Sequence, residues 1–136
     1  MKRSLSCIRK ITSMIVLAAI IMISVTGCGK KETTVNTDSK EFTFIVVDRD
    51  ANETEFNITS QKSTVGEALI DEKLIEGTDG EYGLYVTKVN GVEAIYEDDG
   101  TYWSFYINGE YAMTGVDTTE IEDGATYMFK VEGENL

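Results

Sequence analysis

The sequence predicts an α+β domain, a mixed β-sheet carrying one short helix, set behind an N-terminal signal peptide and a flexible tether. Three observations predict it. Residues 101–112 hold the only Trp of the 136-residue chain and an Asn-Gly pair between two apolar-rich runs. Such a pair marks a type I′ hairpin, which needs φ > 0 at both central residues. A second pair stands at Asn90-Gly91. Lastly, Thr64-Val65-Gly66-Glu67 is a capping box, in which Thr64 caps the Glu67 amide and Glu67 returns to Thr64.

The elements follow in order. Phe42, Phe44 and Val46 alternate with Thr43, Ile45 and Val47, giving a first strand. Residues 48–53 turn the chain, and residues 54–59, with Phe56 and Ile58 on one face, pair back as a hairpin. Past the capping box, Val65, Ala68 and Leu69 share one helical face. The spacing predicts a short helix that stops near Glu76-Gly77. Residues 85–89 form the next strand, Asn90-Gly91 its turn, and residues 92–96 the return. Glu97-Asp98-Asp99-Gly100 reads as a loop before the aromatic strand, the Asn108-Gly109 turn and a short return. Asp123-Gly124 leads into a last strand at 126–131, where Tyr127 and Phe129 alternate with Met128 and Lys130. One helix against one mixed sheet is a β-grasp pattern, with a plain β-sandwich as the alternative.

The N-terminus precedes this fold. Lys2, Arg3, Arg9 and Lys10 form a basic region, and residues 11–25 an apolar one, shorter than the roughly 20 residues of a membrane span. It ends in Val25-Thr26-Gly27-Cys28, which resembles the lipobox of bacterial lipoproteins. That resemblance implies cleavage before Cys28 and lipidation of its sulfur. The expected organisation is a signal peptide at 1–27, a lipidated Cys28 with a flexible tether at 28–40, and a folded domain at 41–136. The tether is polar and aperiodic and reaches about 40 Å when extended. The expected location is the outer face of the bacterial cell membrane.

This processing has chemical consequences. Cys7 leaves with the signal and Cys28 is blocked, so the mature chain has no free thiol. It also has no His. A Ser-His-Asp triad, a Cys nucleophile and a His/Cys zinc site are therefore excluded. No cofactor and no enzymatic activity are expected. The mature chain carries eight basic and 24 acidic residues, a net charge of −16. It lacks the basic footprint that nucleic-acid binding needs. Asp48-Arg49-Asp50-Ala51-Asn52 opens like an EF-hand loop, but Glu53 and Thr59 stand where Gly and Glu are required, so it reads as a hairpin loop.

Five stretches carry a family likeness: Thr64-Val65-Gly66-Glu67-Ala68-Leu69, Tyr85-Val86-Thr87-Lys88-Val89-Asn90-Gly91, Tyr102-Trp103-Ser104-Phe105-Tyr106-Ile107-Asn108-Gly109, Gly115-Val116-Asp117 and Ile121-Glu122-Asp123-Gly124. In this order, over residues 42–131, they resemble the transcobalamin-like C-terminal domain of exported bacterial proteins. The resemblance implies a β-grasp fold that binds a soluble ligand, with a corrinoid such as cobalamin as the best-motivated one. Without His there is no imidazole for cobalt, so binding would rest on stacking, apolar contact and hydrogen bonds. The partners it implies are the membrane, a corrinoid, and a transporter or cell-surface protein. The alternative function is a structural or adhesive module whose aromatic face docks a protein or wall polymer.

The candidate ligand-binding residues are Trp103, Tyr102, Tyr106 and Ser104. Tyr102, Ser104 and Tyr106 share one face of their strand, a flat platform rimmed by hydroxyls. Trp103 shares the other face with Phe105 and Ile107, which reads as core, whereas the family pattern draws Trp103 toward the ligand. Tyr85 and Tyr111 extend the platform if their strands are adjacent.

Replacing Cys28 by Ser is expected to abolish incorporation of labelled palmitate and to release the protein from the membrane fraction. A variant still labelled and membrane-bound would exclude a lipid anchor at this residue.

Overall fold

The computed structural model describes residues 38–134 and 136. The signal peptide, Cys28 and most of the tether lie outside them. The order is β1 (Lys40–Val47), β2 (Glu53–Ser60), α1 (Val65–Asp71), β3 (Ile75–Gly80), β4 (Gly83–Val89), β5 (Val92–Glu93), α2 (Tyr96–Asp99), β6 (Thr101–Ile107), β7 (Glu110–Tyr111) and β8 (Thr126–Gly133).

The strands divide into two sheets. The larger runs β2-β1-β8-β6-β7, and the smaller β3-β4-β5. Thus the single mixed sheet expected from the sequence is replaced by a mixed five-stranded sheet and a separate antiparallel ribbon. The larger sheet is mixed, as an α+β domain allows. Its first and last strands, β1 and β8, pair in parallel, with Val47 opposite Lys130. An antiparallel neighbour flanks each: β2 returns on β1 as a hairpin, and β6 lies antiparallel to β8.

Local chemistry explains most elements. The capping box forms as the sequence implies, with Thr64 Oγ1 accepting from the Glu67 amide and Glu67 Oε2 accepting from the Thr64 amide. Asn108 and Gly109 both adopt positive φ, 50° and 84°, as the type I′ turn requires. Asn108 also exchanges two hydrogen bonds with the Thr126 backbone, fixing the turn to the start of β8.

Three expectations were altered by tertiary context. The helix does not reach Glu76. Lys73 takes a left-handed φ of 59°, and the Lys73 and Leu74 amides donate back to the Ile70 and Leu69 carbonyls. This is a Schellman closure made with Lys where Gly is usual. The chain then enters β3, a strand with one buried residue, Ile75. At Gly77, Cα lies so near β4 that a Cβ would sit 2.3 Å from the Tyr85 carbonyl oxygen. Lastly, the strand expected at 92–96 stops after Glu93. Tyr96–Asp99 forms one helical turn closed by Gly100 at φ 72°.

One hydrophobic cluster joins both sheets and α1. Phe42, Phe44 and Val46 of β1, Phe105 of β6, and Tyr127, Phe129 and Val131 of β8 meet Val65, Ala68 and Leu69 of α1 and Val86 and Val89 of β4. Phe129 is the hub, with Phe44, Trp103 and Phe105 ring centroids 6.2, 6.5 and 5.0 Å away. Tyr127 is fully buried, yet its hydroxyl is satisfied: it accepts from the Glu122 amide at 2.9 Å and donates to the Glu120 carbonyl at 3.2 Å. A core tyrosine thereby pins the irregular segment that leads into β8.

Tyr127→Phe removes that hydroxyl and leaves two backbone groups without their partner. It is expected to cost about 1–3 kcal/mol in urea unfolding. An unchanged midpoint would show that solvent satisfies both groups in the variant.

Candidate functional site

The site grows from the place where β1 leaves its neighbour. Parallel pairing of β1 ends at Val47 opposite Lys130. β8 runs on to Gly133, still paired on its other side, with Glu132 opposite Tyr102. The chain after β1 folds into a tight turn. The Asp48 carboxylate accepts from the Asp50 and Asn52 amides and from the Asn52 side chain, and these bonds to Asn52 hold its pKa below the usual carboxylate range. Arg49 reaches from this turn to the Glu93 carbonyl at 2.6 Å and to Asp99 Oδ2 at 2.5 Å. A bond from Thr101, then the one from Arg49, holds the Asp99 pKa down as well.

Between these pieces lies an open groove of about 740 Å³. Its walls include Asp48, Arg49, Tyr96, Tyr102, Lys130, Glu132 and Glu134, with Ala51 and Leu136 supplying apolar surface. The Tyr96 and Tyr102 rings meet edge to face, with centroids 6.4 Å apart. The Tyr96 amide donates to the Tyr85 hydroxyl at 3.5 Å. Farther along β6, Tyr106 packs edge to face on its cross-strand partner Tyr111 at 5.6 Å. Tyr85, Tyr96, Tyr102, Tyr106 and Tyr111 therefore all belong to one outer surface, with Tyr96 and Tyr111 more than half exposed.

The residues singled out from the sequence separate into three roles. Tyr102 lines the groove. Ser104 is 2 % exposed and lies beneath the surface rather than on it. Its hydroxyl donates to Glu132 Oε2 at 2.6 Å, and the Tyr106 hydroxyl donates to Oε1 at 2.7 Å. The platform's hydroxyls at 104 and 106 are thus committed to a carboxylate. Trp103 faces the other way: it is 7 % exposed, packs on Phe129 and is no part of the groove. Its ring sits in the core with Phe105 and Phe129. Its indole N–H is buried without a hydrogen-bond partner among the described residues.

Glu132 and Tyr96 were not singled out from the sequence. The alternation of Tyr127, Phe129 and Val131 already turned Lys130 and Glu132 outward. What the sequence lacked was the register that sets Glu132 against Tyr102. Tyr96 was hidden by its assignment to a strand end.

The electrostatics of the pair follow from the hydrogen bonds. The Ser104 bond, helped by Tyr106 and by Lys130 at 3.6 Å, holds the Glu132 pKa below its usual range against the opposing effect of burial. The bond to Glu132, then burial, pushes the Tyr106 phenol up to about 12. Among the described residues no three of His, Cys, Asp and Glu converge to hold a metal ion.

The family described as Domain of unknown function (DUF4430) matches residues 62–133. A candidate metal-binding protein of Ruminococcus gnavus ATCC 29149, known from its crystal structure, is 29% identical and superposes with a TM-score of 0.66. The match covers 70% of this chain and 98% of that one. Haptocorrin in complex with Cbi has the same fold at 19% identity and a TM-score of 0.56. There the match covers 70% of this chain and 25% of haptocorrin, so this chain corresponds to about a quarter of it. No curated protein sequence matches the chain significantly.

The shifted groups set the pH dependence. Glu132, like Asp48 and Asp99, has a folded pKa below its unfolded one, so its contribution is present above about pH 4.5 and lost as pH falls through the lower, folded value. Tyr106 is the reverse case: its contribution is present below pH 10.0 and lost as pH rises toward about 12. Thermal unfolding is expected to drop below pH 4.5, less steeply in Glu132→Gln. In ultraviolet titration Tyr106→Phe should remove one late phenol, leaving that of Tyr127, which burial also raises. An unchanged late phenol count would disprove the Tyr106–Glu132 bond.

Proposed function

The chain belongs to the DUF4430 family, and from that premise we propose that it is a non-catalytic, extracytoplasmic binding module, held at the membrane by a lipid on Cys28, whose groove takes a corrinoid. One observation carries this reading: a groove that combines tyrosine rings, aliphatic surface and oriented polar groups at one end of the sheet. Its volume of about 740 Å³ falls within the usual range of small-molecule sites, roughly 300–1,000 Å³. Tyr96 and Tyr102 supply flat apolar contact with polar rims, suited to a large conjugated macrocycle. The fold likeness to haptocorrin in complex with Cbi supports the ligand class.

The position of the groove supports the anchored arrangement. The tether joins the domain at the Lys40 end of β1, and the groove opens past the Val47 end. A strand of eight residues separates the two by about 23 Å. A ligand would reach the groove without passing the attachment point. In this reading the module captures its ligand outside the cell and hands it to a transporter.

A second reading is favoured by a different observation, the extent of the tyrosine surface. Tyr106 and Tyr111 lie on it beyond the groove. A structural or adhesive module that docks a protein or wall polymer would use all of that face, whereas corrinoid binding uses only the groove.

Calorimetric titration of the full-length protein in detergent with cobinamide and with cobalamin tests the proposal. Saturable heat is expected, and Tyr102→Ala should weaken binding about tenfold or more through lost apolar contact. No heat at high micromolar ligand would overturn the corrinoid reading.

A further inference from the structure

Glu132 is held on both of its carboxylate oxygens. Its carboxylate lies on the outer face of β8, 28% exposed, and takes one hydrogen bond on each oxygen. Both donors, Ser104 and Tyr106, come from β6, two residues apart on the same face. The two hydroxyls fix the carboxylate's rotation, and one of them, on Ser104, is nearly inaccessible. A carboxylate offers about four acceptor positions; Ser104 and Tyr106 take two and Lys130 Nζ stands 3.6 Å from Oε1, which leaves about one. Glu132 and Tyr102 stand directly opposite each other across the pair, and both line the groove.

We infer that Glu132 is the groove's directional acceptor for neutral N–H donors of the ligand, primary amides above all, with Ser104 and Tyr106 as positioning residues. This deepens the corrinoid reading and rests on it. The corrinoid reading selects the neutral donor, since the groove itself is lined by Asp48, Glu132 and Glu134 beside Lys130 and an Arg49 already paired with Asp99. An anionic group would meet these carboxylates. A neutral amide N–H gains a charge-assisted hydrogen bond to Glu132. Corrinoids such as cobinamide carry primary amides around the ring, and an open groove would meet that rim.

The test compares two corrinoids on the full-length protein in detergent. Dicyanocobinamide presents amides; dicyanocobyrinic acid heptamethyl ester presents esters, which accept but cannot donate. The readout is the ratio of wild-type to variant affinity, in which partition of either ligand into detergent cancels. For cobinamide, Glu132→Gln is expected to weaken binding roughly ten- to hundredfold, the scale of a hydrogen bond to a charged group. Tyr106→Phe and Ser104→Ala should weaken it severalfold. For the ester all three ratios should stay near one, which a general structural loss would not produce. A ratio near one for Glu132→Gln with cobinamide would overturn the inference while leaving the corrinoid reading intact. Should circular dichroism show that Glu132→Gln does not fold, the Tyr106→Phe ratio decides in the same way. A wild type that binds neither corrinoid removes the reading and the inference together.

Discussion

The parallel pairing of β1 with β8 is the constraint on which the rest of this domain depends. It joins the first and last strands, so every other element is folded between them. A parallel pair cannot be closed by a short turn. Here the pairing is anchored at its start by several long-range bonds. Lys40 Nζ donates to the Ile121 carbonyl, the Glu41 amide to Asp123 Oδ1, the Gly124 amide to the Glu41 carbonyl, and the Thr43 amide to the Ala125 carbonyl. The buried Tyr127 hydroxyl holds the same segment from inside. The register set there travels the length of both strands and decides where β1 runs out while β8 continues. The groove is the consequence of that mismatch in length.

The same pairing divides the aromatic residues between two tasks. β6 takes its register from β8, and its alternation sends Trp103 and Phe105 toward Phe129 and the core. It sends Tyr102, Ser104 and Tyr106 to the opposite face, onto Lys130 and Glu132. The outer face is therefore not merely a wetted side of the sheet. It carries tyrosine rings, and its central carboxylate is held by hydroxyls from the neighbouring strand. In a domain without His, contact surfaces and hydrogen bonds of this kind are the chemistry at hand.

The smaller sheet acts as a brace. β4 contributes Val86 and Val89 to the common core, while Tyr85 on its outer side meets the start of α2. Arg49 ties the β1–β2 turn to Glu93 and Asp99. Two walls of the groove, the turn after β1 and the short helix before β6, are thereby joined by one guanidinium. This explains how a groove built partly from connections between strands keeps a definite shape.

What could be read from the chain alone was whatever a few neighbouring residues decide. The Asn-Gly turns need only two residues with positive φ. The capping box needs four residues, and the alternation of β1, β6 and β8 needs each strand by itself. The core assignments of Phe105 and Phe129 and the outward face of Tyr102 and Tyr106 follow from these. The helix end was hidden because Lys73, not Gly, takes the left-handed position, and only the packed chain makes that conformation worthwhile. β3 was hidden because Glu76-Gly77-Thr78-Asp79-Gly80 has no apolar pattern; it is a strand because β4 lies against its backbone. The division into two sheets and the groove depend on register between distant strands, as does the meeting of Ser104, Tyr106 and Glu132. Periodicity tells a side chain which face it takes, but only strand pairing tells it whom it meets there.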